Sequence, residues 1–312
     1  MFMPEDRYLW DFWLLRWEGE YHLFYLQAPR SLADPELRHG NASVGHAVSR
    51  DLTRWQDAGT ALEPGPGGAW DDRAIWTGSV IDWRGRFYML YTGTCLEEEG
   101  KVQRIGLATS RDLLRWEKHP ANPVLEANPR WYEGEGVSPF GERAWRDPYV
   151  IHVPGEGCFC AFITARAAHG PVDGRGCIGV ARSADLVRWE VLPPLAAPRG
   201  FAQMEVPQHL RLQGRHYLLF SAAGPWVVGA GLPRATGTFY AVSSGPWGPY
   251  RFGGLLLGGE EPARYAAKLV TDPQGELVAL SWLGRGGDGT FVGGLSDPVP
   301  VRVLSDGALQ VV

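Results

Sequence analysis

The 312-residue chain has few lysines, few cysteines and no excess of positive charge. Its formal net charge of −5 argues against a nucleic acid or another polyanion as a partner. No apolar run is long enough to cross a bilayer, and the N-terminus has no charged segment followed by an apolar one, as a signal peptide would. These absences predict a soluble protein that binds neither nucleic acid nor membrane, and they leave its oligomeric state open.

The four cysteines are Cys95, Cys158, Cys160 and Cys177, and they form neither a CxxC pair nor a Cys/His cluster with zinc spacing. Cys158 and Cys160 are two residues apart on a predicted strand, so they point to the same face and are not expected to bond to each other. Free thiols are typical of a reducing compartment. We therefore expect a cytoplasmic protein with no metal and no other cofactor.

The chain contains an internal repeat. Three segments share the pattern Val/Ile-Gly-x-Ala-x-Ser-x-Asp-Leu-x-Arg-Trp, and a fourth is degenerate: Val44–Trp55, Ile105–Trp116, Ile178–Trp189 and Gly237–Trp247. Each segment predicts a short strand, a Ser/Asp turn, and a Trp that opens the next strand.

A hairpin pattern, with apolar and aromatic runs on either side of a glycine, accompanies each of these segments and occurs once more near the C-terminus. The hairpins are Phe12–Leu26 around Gly19, Val80–Tyr91 around Gly85, Tyr149–Ile163 around Gly155, Val206–Phe220 around Gly214 and Ala267–Trp282 around Gly275. Five such units, each of about four strands and without helical periodicity, predict an all-β fold, a five-bladed β-propeller in one domain over residues 1–312. A β-sandwich is the competing fold, but it does not explain repeats spaced by 61 and 73 residues. Long irregular stretches lie between the predicted blades, at Gly65–Arg73, Asn128–Ala144 and Ala196–Ala202.

Carboxylates recur at the start of the predicted first strands. Asp11, Thr77 and Asp147 each lie eight residues before the hairpin glycine, whereas Glu205 lies nine before Gly214. In the fifth unit the position eight before the glycine is Ala267. Because the first strands of propeller blades line the central channel, we expect the three carboxylates to converge at one mouth of it.

The neighbours of these acids suggest different roles. Glu205 lies between Met204 and Val206, and apolar surroundings raise a carboxyl pKa, which favours a proton donor. The Arg146 cation is expected to keep Asp147 charged, and Asp11 is expected to be the ionised nucleophile. Carboxylates whose pKa values are pushed apart run the acid and nucleophile roles of a glycosidase.

Each acid also has a structural interpretation. Asp147-Pro148 is a common turn dipeptide, and Asp11 could lie on the surface at the start of the chain. Glu205 could form an ion pair with Arg199 or Arg211. Three acids at one repeat position favour a shared site over three independent structural roles.

At this point the motifs resemble glycoside hydrolase family 32 and its relatives in families 68 and 43. The resemblance spans nearly the whole chain and rests on Tyr21–Tyr25, Gly40–Ser49, Trp76-Thr-Gly-Ser79, Tyr91-Thr-Gly93, Arg146-Asp-Pro148 and Glu205-Val-Pro207. The first motif is Asp11-Phe12-Trp13, which is similar to the Trp-Asp-Ser-Trp of levansucrase-like enzymes. Most members carry a C-terminal β-sandwich, and we expect none here, because the repeats extend almost to the end of the chain.

The resemblance implies Asp11 as nucleophile, Asp147 as transition-state stabiliser and Glu205 as acid/base, in a retaining reaction through a covalent fructosyl-enzyme. It implies a sugar pocket lined by Trp13, Gln27, Trp76, Thr77 and Arg146. The expected substrate is a small carbohydrate, a terminal β-fructofuranoside such as sucrose or a short fructooligosaccharide. Another furanosidase such as an arabinofuranosidase, a fructosyltransferase and a non-catalytic sugar-binding propeller remain alternatives.

Overall fold

The computed structural model describes residues 1–195, 199–259 and 262–312. Its strands form five antiparallel sheets that follow one another along the chain, which confirms the five-bladed propeller. Within these residues every named strand belongs to one of the five sheets, and no β-sandwich is added to them. Residues 196–198, in the predicted stretch Ala196–Ala202, lie outside the described residues.

Four strands build each of the first four blades. Blade 1 comprises β1 (Arg7–Trp17), β2 (Glu20–Pro29), β3 (Ser43–Ser49) and β4 (Gln56–Leu62). Blade 2 comprises β5 (Ala74–Trp83), β6 (Arg86–Thr94), β7 (Arg104–Ser110) and β8 (Glu117–Lys118). Blade 3 comprises β9 (Trp145–Val153), β10 (Cys158–Arg166), β11 (Gly176–Ser183) and β12 (Trp189–Leu192). Blade 4 comprises β13 (Glu205–Leu212), β14 (Arg215–Ala222), β15 (Gly237–Ser243) and β16 (Arg251–Gly258).

Blade 5 is irregular and closes the ring. It comprises β17 (Arg264–Thr271), β18 (Leu277–Arg285), β19 (Phe291–Leu295), β20 (Val299–Val303) and β21 (Leu309–Val311). Both β19 and β20 pair with β18, so two short strands share the place of one. The backbone of Phe2 pairs with that of Leu295, which ties the start of the chain to the last blade. Three short 3₁₀ helices complete the described elements: Pro35–Asn41, Val172–Gly174 and Gly224–Trp226.

The first strand of each blade contacts the first strands of both neighbouring blades, so β1, β5, β9, β13 and β17 surround the central axis. The hydrophobic core is divided accordingly, with one buried cluster between each pair of adjacent blades. The faces of each sheet are apolar because they pack on the next sheet. The axis is therefore the place where side chains of all five blades can meet.

The three repeated Ser-x-Asp-Leu-x-Arg-Trp segments form turns with the same hydrogen bonds. In blade 2, Ser110 Oγ accepts the backbone N–H groups of Asp112 and Leu113, and the Trp116 indole donates to the Leu113 carbonyl at 3.0 Å. Leu113 has a positive φ of 63°. The equivalent turns begin at Ser49 and Ser183 and have the same bonds. The predicted strand–turn–Trp unit is confirmed as the outer corner of blades 1 to 3.

Among the described residues, the four cysteines are free. Burial raises the pKa of the Cys177 thiol to about 12, as is expected for a thiol that packs among apolar side chains. No helix in the described part of the chain is long and apolar enough to cross a bilayer. The cytoplasmic location stays a prediction.

Candidate active site

Each of the five innermost strands is interrupted by a β-bulge near its start. The register with the second strand slips by one residue at Asp11, Thr77, Asp147, Val206 and Ala266, which we call the bulge positions. Asp147, Val206 and Ala266 have φ values of 55°, 51° and 49°, in the left-handed region. A bulge redirects side chains, so that consecutive residues can point to the same side of a strand. Two successive side chains of one strand can therefore face the channel.

The residues just before the bulges, which we call the rim positions, all line one cavity of about 560 Å³ at the channel mouth: Trp10, Trp76, Arg146, Glu205 and Tyr265. The bulge residues Asp11, Thr77 and Asp147 line it as well. The structure thus brings the three predicted acids together in one cavity. It also places Trp76, Thr77 and Arg146 on the cavity wall.

The repeat position of Glu205 differs from the one predicted. Glu205 is equivalent to Arg146, because Val206-Pro207 occupies the place of Asp147-Pro148. Thr92 and Thr164, each on the preceding blade, accept the backbone N–H groups of Asp147 and Val206. Val206, not Glu205, is the residue eight positions before its hairpin glycine, Gly214, as Asp147 is before Gly155. Two acids lie at bulge positions and the third lies at a rim position.

Asp11 is held by two neutral donors. Trp282 Nε1 donates to Oδ1 at 2.7 Å, and Thr77 Oγ1 donates to Oδ2 at 3.0 Å. Burial, together with the nearby Asp147 and Glu205 carboxylates, raises the pKa of Asp11 well above its usual range. The geometry leaves a carboxylate that is oriented but not neutralised.

Asp147 is almost fully buried. Its Oδ2 accepts from Thr164 Oγ1 at 2.8 Å and from the backbone N–H of Val206 at 3.1 Å. Burial raises its pKa, and the adjacent Arg146 only partly opposes this effect. The expectation from the sequence rested on the Arg146 cation alone, whereas desolvation of the buried carboxyl is the larger effect on its pKa. That Asp147 is charged stays a prediction.

Glu205 is bonded through both carboxyl oxygens. Arg146 Nη2 donates to Oε1 at 2.7 Å, and the Tyr265 hydroxyl donates to Oε2. The ion pair suggested by the sequence exists, but its cation is Arg146 rather than Arg199 or Arg211. About 25% of the Glu205 side chain is exposed, which gives it access to the cavity. Asp11 is also partly exposed, whereas Asp147 is buried.

Arg146 links the acids into one network. Its Nη1 donates to Gln103 at 3.0 Å and to Glu142 at 2.9 Å, while Nη2 donates to Gln203 at 2.5 Å. Glu142 and Gln203 also line the cavity. A planar guanidinium with several donors fixes these groups relative to one another. The network sets the orientation of Glu205 from one side, and Tyr265 sets it from the other.

Two predicted sugar-binding residues lie elsewhere. Trp13 is buried in the core between blades 1 and 2, where it stacks on Phe24 at 6.1 Å. The bulge at Asp11 ends before Trp13, and the strand returns there to regular pairing. Gln27 lies on β2, one strand away from the axis, and faces a second cavity. Its amide is already bonded to Arg7, Ser43 and Thr60.

Apolar walls surround the acids. Besides the tryptophans at the rim positions, the cavity is lined by Phe140, Trp282 and Phe291. Phe140 packs edge-on against the exposed Trp226, with ring centroids 4.9 Å apart. Aromatic faces beside a few polar groups are typical of a site that stacks on the C–H faces of a sugar.

Sequence reasoning missed Tyr265, Trp282 and Glu142. Tyr265 precedes the fifth bulge and could have been found by aligning Arg146-Asp-Pro148, Glu205-Val-Pro207 and Tyr265-Ala-Ala267. The longer turn of blade 5, between Thr271 and Leu277, shifts the glycine count there and hides the match. Trp282 and Glu142 lie on a second strand and a loop, where no repeat pattern indicated them. In the described part of the chain, no group of three His, Cys, Asp or Glu side chains is arranged to hold a metal ion.

The model of the glycosyl hydrolases family 32 N-terminal domain matches residues 2–289 of this chain. The chain belongs to glycosyl hydrolase family 32. Its family membership agrees with the motifs at Asp11, Arg146-Asp-Pro148 and Glu205, and with the five-bladed fold.

This family 32 chain is similar to curated proteins from plants and bacteria. It is 37% identical over 194 residues to the beta-fructofuranosidase, insoluble isoenzyme 7, of Oryza sativa subsp. indica, a match that covers 61% of this chain and 29% of that protein. The match therefore spans less than a third of the length of the plant relative. It is 27% identical over 355 aligned residues to an extracellular sucrase of Zymomonas mobilis subsp. mobilis, covering 98% of this chain and 82% of that one.

Solved structures share the fold. An inulosucrase from Halalkalicoccus jeotgali bound to kestose superposes with a TM-score of 0.81 at 25% identity, covering 99% of this chain and 87% of that chain. Fructan 1-exohydrolase IIa from Cichorium intybus has a TM-score of 0.73 at 21% identity, and the match covers 100% of this chain and 59% of that one.

Proposed function

We propose that this propeller is the catalytic domain of a retaining glycoside hydrolase that releases terminal β-fructofuranosyl groups from sucrose or short fructooligosaccharides. The observation that carries the proposal is the convergence of Asp11, Asp147 and Glu205 in one aromatic-walled cavity. A pair of carboxyl groups beside a buried sugar site is the arrangement that glycoside cleavage requires.

In the first step Asp11 acts as the nucleophile. Its carboxylate attacks the anomeric carbon of the fructosyl group, and the bond from that carbon to the leaving oxygen breaks. The electron pair of the broken bond remains on the leaving oxygen, which takes a proton from Glu205. Thr77 and Trp282 support this role because they orient Asp11 without placing a cation on it.

In the second step Glu205 acts as a base. It takes a proton from water, whose oxygen attacks the anomeric carbon and displaces Asp11. The product has the same anomeric configuration as the substrate after two inversions. Arg146 and Tyr265 donate to the two oxygens of Glu205, and both bonds hold the carboxylate that exists between the two steps.

Asp147 stabilises the transition state by accepting hydrogen bonds from sugar hydroxyls. Thr164 and the Val206 N–H hold its Oδ2, which aims the rest of the carboxyl group at the cavity. Arg146, Trp76 and Thr77 complete the fructosyl pocket. The reaction as proposed uses only these side chains and water.

The relatives support a fructoside as substrate. The rice relative is named a beta-fructofuranosidase and the Zymomonas relative a sucrase, and the Halalkalicoccus structure contains kestose. A small carbohydrate fits a cavity of about 560 Å³.

The test is fructose release from sucrose, 1-kestose and an aryl β-fructofuranoside by the wild type and Asp11→Asn. We expect release by the wild type and almost none by the variant, while the exposed Asp185→Asn in the outer turn of blade 3 serves as a control with normal activity. The raised pKa of Asp11 means that ionising it in the folded state costs stability as the pH rises from the unfolded-state pKa through the folded one. Asp11→Asn removes this cost, so we expect it to be folded and more stable by on the order of 1 kcal/mol at pH 8.

Other outcomes identify the alternatives. Release of arabinose from an aryl arabinofuranoside, with no fructose from any fructoside, would replace the substrate and keep the chemistry. Fructosyl transfer at high sucrose would appear as longer oligosaccharides. Binding of fructosides without turnover by the wild type would contradict a catalytic role.

A further inference from the structure

The channel beneath the acids contains a buried lysine, one of three lysines in the chain. Lys268 lies on β17, two residues after the bulge of blade 5, and its side chain is almost completely buried. Its Nζ donates to the carbonyl of Val206 at 2.8 Å and to that of Pro207 at 3.1 Å. Buried lysines are rare because the ammonium loses its hydration, so this one is expected to have a role.

Lys268 clamps the residue that follows Glu205. The carbonyl of Val206 accepts from Lys268, while the N–H of Val206 donates to Asp147 Oδ2 and to Thr164 Oγ1. Val206 has a φ of 51°, a conformation that a β-branched residue adopts only when its surroundings impose it. The backbone that aims Glu205 into the cavity is thus held from both sides of one residue.

The ammonium also lies near the other two acids. The ring of Tyr149 on blade 3 is 5.8 Å from Nζ, so the amine reaches across the axis from blade 5. Burial lowers the pKa of Lys268 to about 7, and the Asp11 and Asp147 carboxylates oppose this effect. The titratable groups that interact with the amine are Asp11 on β1 and Asp147 and Tyr149 on β9. Arg146 on β9, Glu205 on β13 and Tyr265 on β17 interact in turn with these acids.

We propose that Lys268 is a positioning residue of the active site: its side-chain amine holds the Val206–Pro207 backbone that orients Glu205, and when protonated it favours the ionised form of Asp11 from beneath the cavity. Lys268 lies below the bulge residues and is not among the residues that line the cavity, so it acts through the acids. The effect on catalysis rests on the proposed function, whereas the effect on Asp11 ionisation does not.

Two variants separate the hydrogen bonds from the charge. Lys268→Gln retains a donor toward the backbone carbonyls but has no charge, and Lys268→Met lacks both. Lys101→Met, which changes an exposed lysine outside the cavity, is the control. The readouts are the pH profile of kcat/KM on sucrose, kcat at the optimum, and the carboxyl titration of Asp11 by ¹³C NMR, assigned by its loss in Asp11→Asn.

In both Lys268 variants we expect the acidic limb of kcat/KM and the Asp11 titration to move to higher pH by about one unit, because a nearby cation is lost. We expect kcat at the optimum to fall about ten- to hundredfold in Lys268→Met, through misplacement of Glu205, and less in Lys268→Gln. The control should match the wild type.

Wild-type pH profiles and Asp11 titration in both variants, with only thermal stability changed, would overturn the proposal. If no fructoside is cleaved by the wild type but the Asp11 titration still moves, the proposed function fails and the electrostatic role of Lys268 stands.

Discussion

The outer corners and the inner ends of the blades have opposite character. At the outer corners of blades 1 to 3, the turns that begin at Ser49, Ser110 and Ser183 repeat the same residues and the same hydrogen bonds. At the inner ends, a register slip of one residue occurs in every blade, but it carries a different pair of side chains each time, from Trp10-Asp11 to Tyr265-Ala266. The identical outer turns form the corners of the blades, whereas the different side chains at the inner ends form an asymmetric site around the axis.

This comparison leads to a general expectation about substitutions. Changes at the inner bulges should alter activity more than stability, since those side chains surround a cavity. Changes at the outer turns should alter stability more than activity, because those side chains satisfy backbone groups far from the axis.

After Asp11→Asn, the largest effect is expected for Glu205→Gln. Loss of the proton donor should lower kcat/KM on sucrose about 10²- to 10⁴-fold. An aryl fructofuranoside, whose phenolate leaves without a proton, should lose far less in the first step. Steady-state and burst kinetics on both substrates measure this difference, with Glu190→Gln on the outer strand of blade 3 as control. An equal loss on both substrates would show that Glu205 is not the acid.

Tyr265→Phe should have the next largest effect. It removes the hydroxyl that donates to Glu205 Oε2 and leaves the ring in place. A hydrogen bond to a charged group contributes about 1.5–3 kcal/mol, so kcat should fall about ten- to hundredfold. The control is Tyr250→Phe, which removes a hydroxyl bonded to the Pro246 carbonyl in blade 4. Equal losses of activity in Tyr265→Phe and Tyr250→Phe would contradict a specific role for the Tyr265–Glu205 hydrogen bond.

A smaller effect is expected for Thr77→Val, which removes the hydroxyl donated to Asp11 Oδ2. Because this hydrogen bond favours the ionised carboxyl, its loss should raise the pKa of Asp11 further. Asp11 attacks only when ionised, so kcat/KM should fall as the pH drops through its pKa, and in the variant this limb should lie about one pH unit higher. Unchanged pH profiles in Thr77→Val would mean that Asp11 does not govern the acidic limb.

The smallest effect on activity is expected at the outer turn. Ser110→Ala removes the oxygen that accepts two backbone N–H groups, and Ser110 is buried. We expect the free energy of unfolding to fall by about 1 kcal/mol while kcat/KM stays within about twofold of the wild type. Chemical denaturation and sucrose kinetics test both parts. A large loss of activity in a folded Ser110→Ala protein would contradict the separation of periphery and axis.

The fold was predictable because it depends on local signals that recur. The Ser-x-Asp-Leu-x-Arg-Trp segments predicted the outer turns, and the hairpin glycines predicted the turns at Glu18-Gly19, Arg84-Gly85 and Gln213-Gly214. In these turns both residues have positive φ, as a tight hairpin requires. Such signals need no knowledge of distant residues.

The site was predictable only in part. Asp11, Asp147 and Glu205 were identified by their repeat positions. The bulges that direct side chains into the channel cannot be seen in a residue count. Trp13 was therefore predicted in the sugar pocket, although the strand has returned to regular pairing there and Trp13 lies in the core. The sequence neighbours of Asp11 also did not indicate what acts on its carboxyl group. The pKa of Asp11 is raised by burial and by carboxylates on two other blades, and those are contacts between strands far apart in the chain.

The central claim is that Asp11, at the bulge of the first blade, is the group that bonds to the sugar. The direct test is to mix Glu205→Gln with an aryl β-fructofuranoside, quench in acid, digest, and identify the labelled peptide by mass spectrometry. The account predicts one fructosyl group on Asp11, and none when Asp11→Asn is combined with Glu205→Gln. A fructosyl group on Asp147 instead, or phenolate release that never labels the protein, would contradict it.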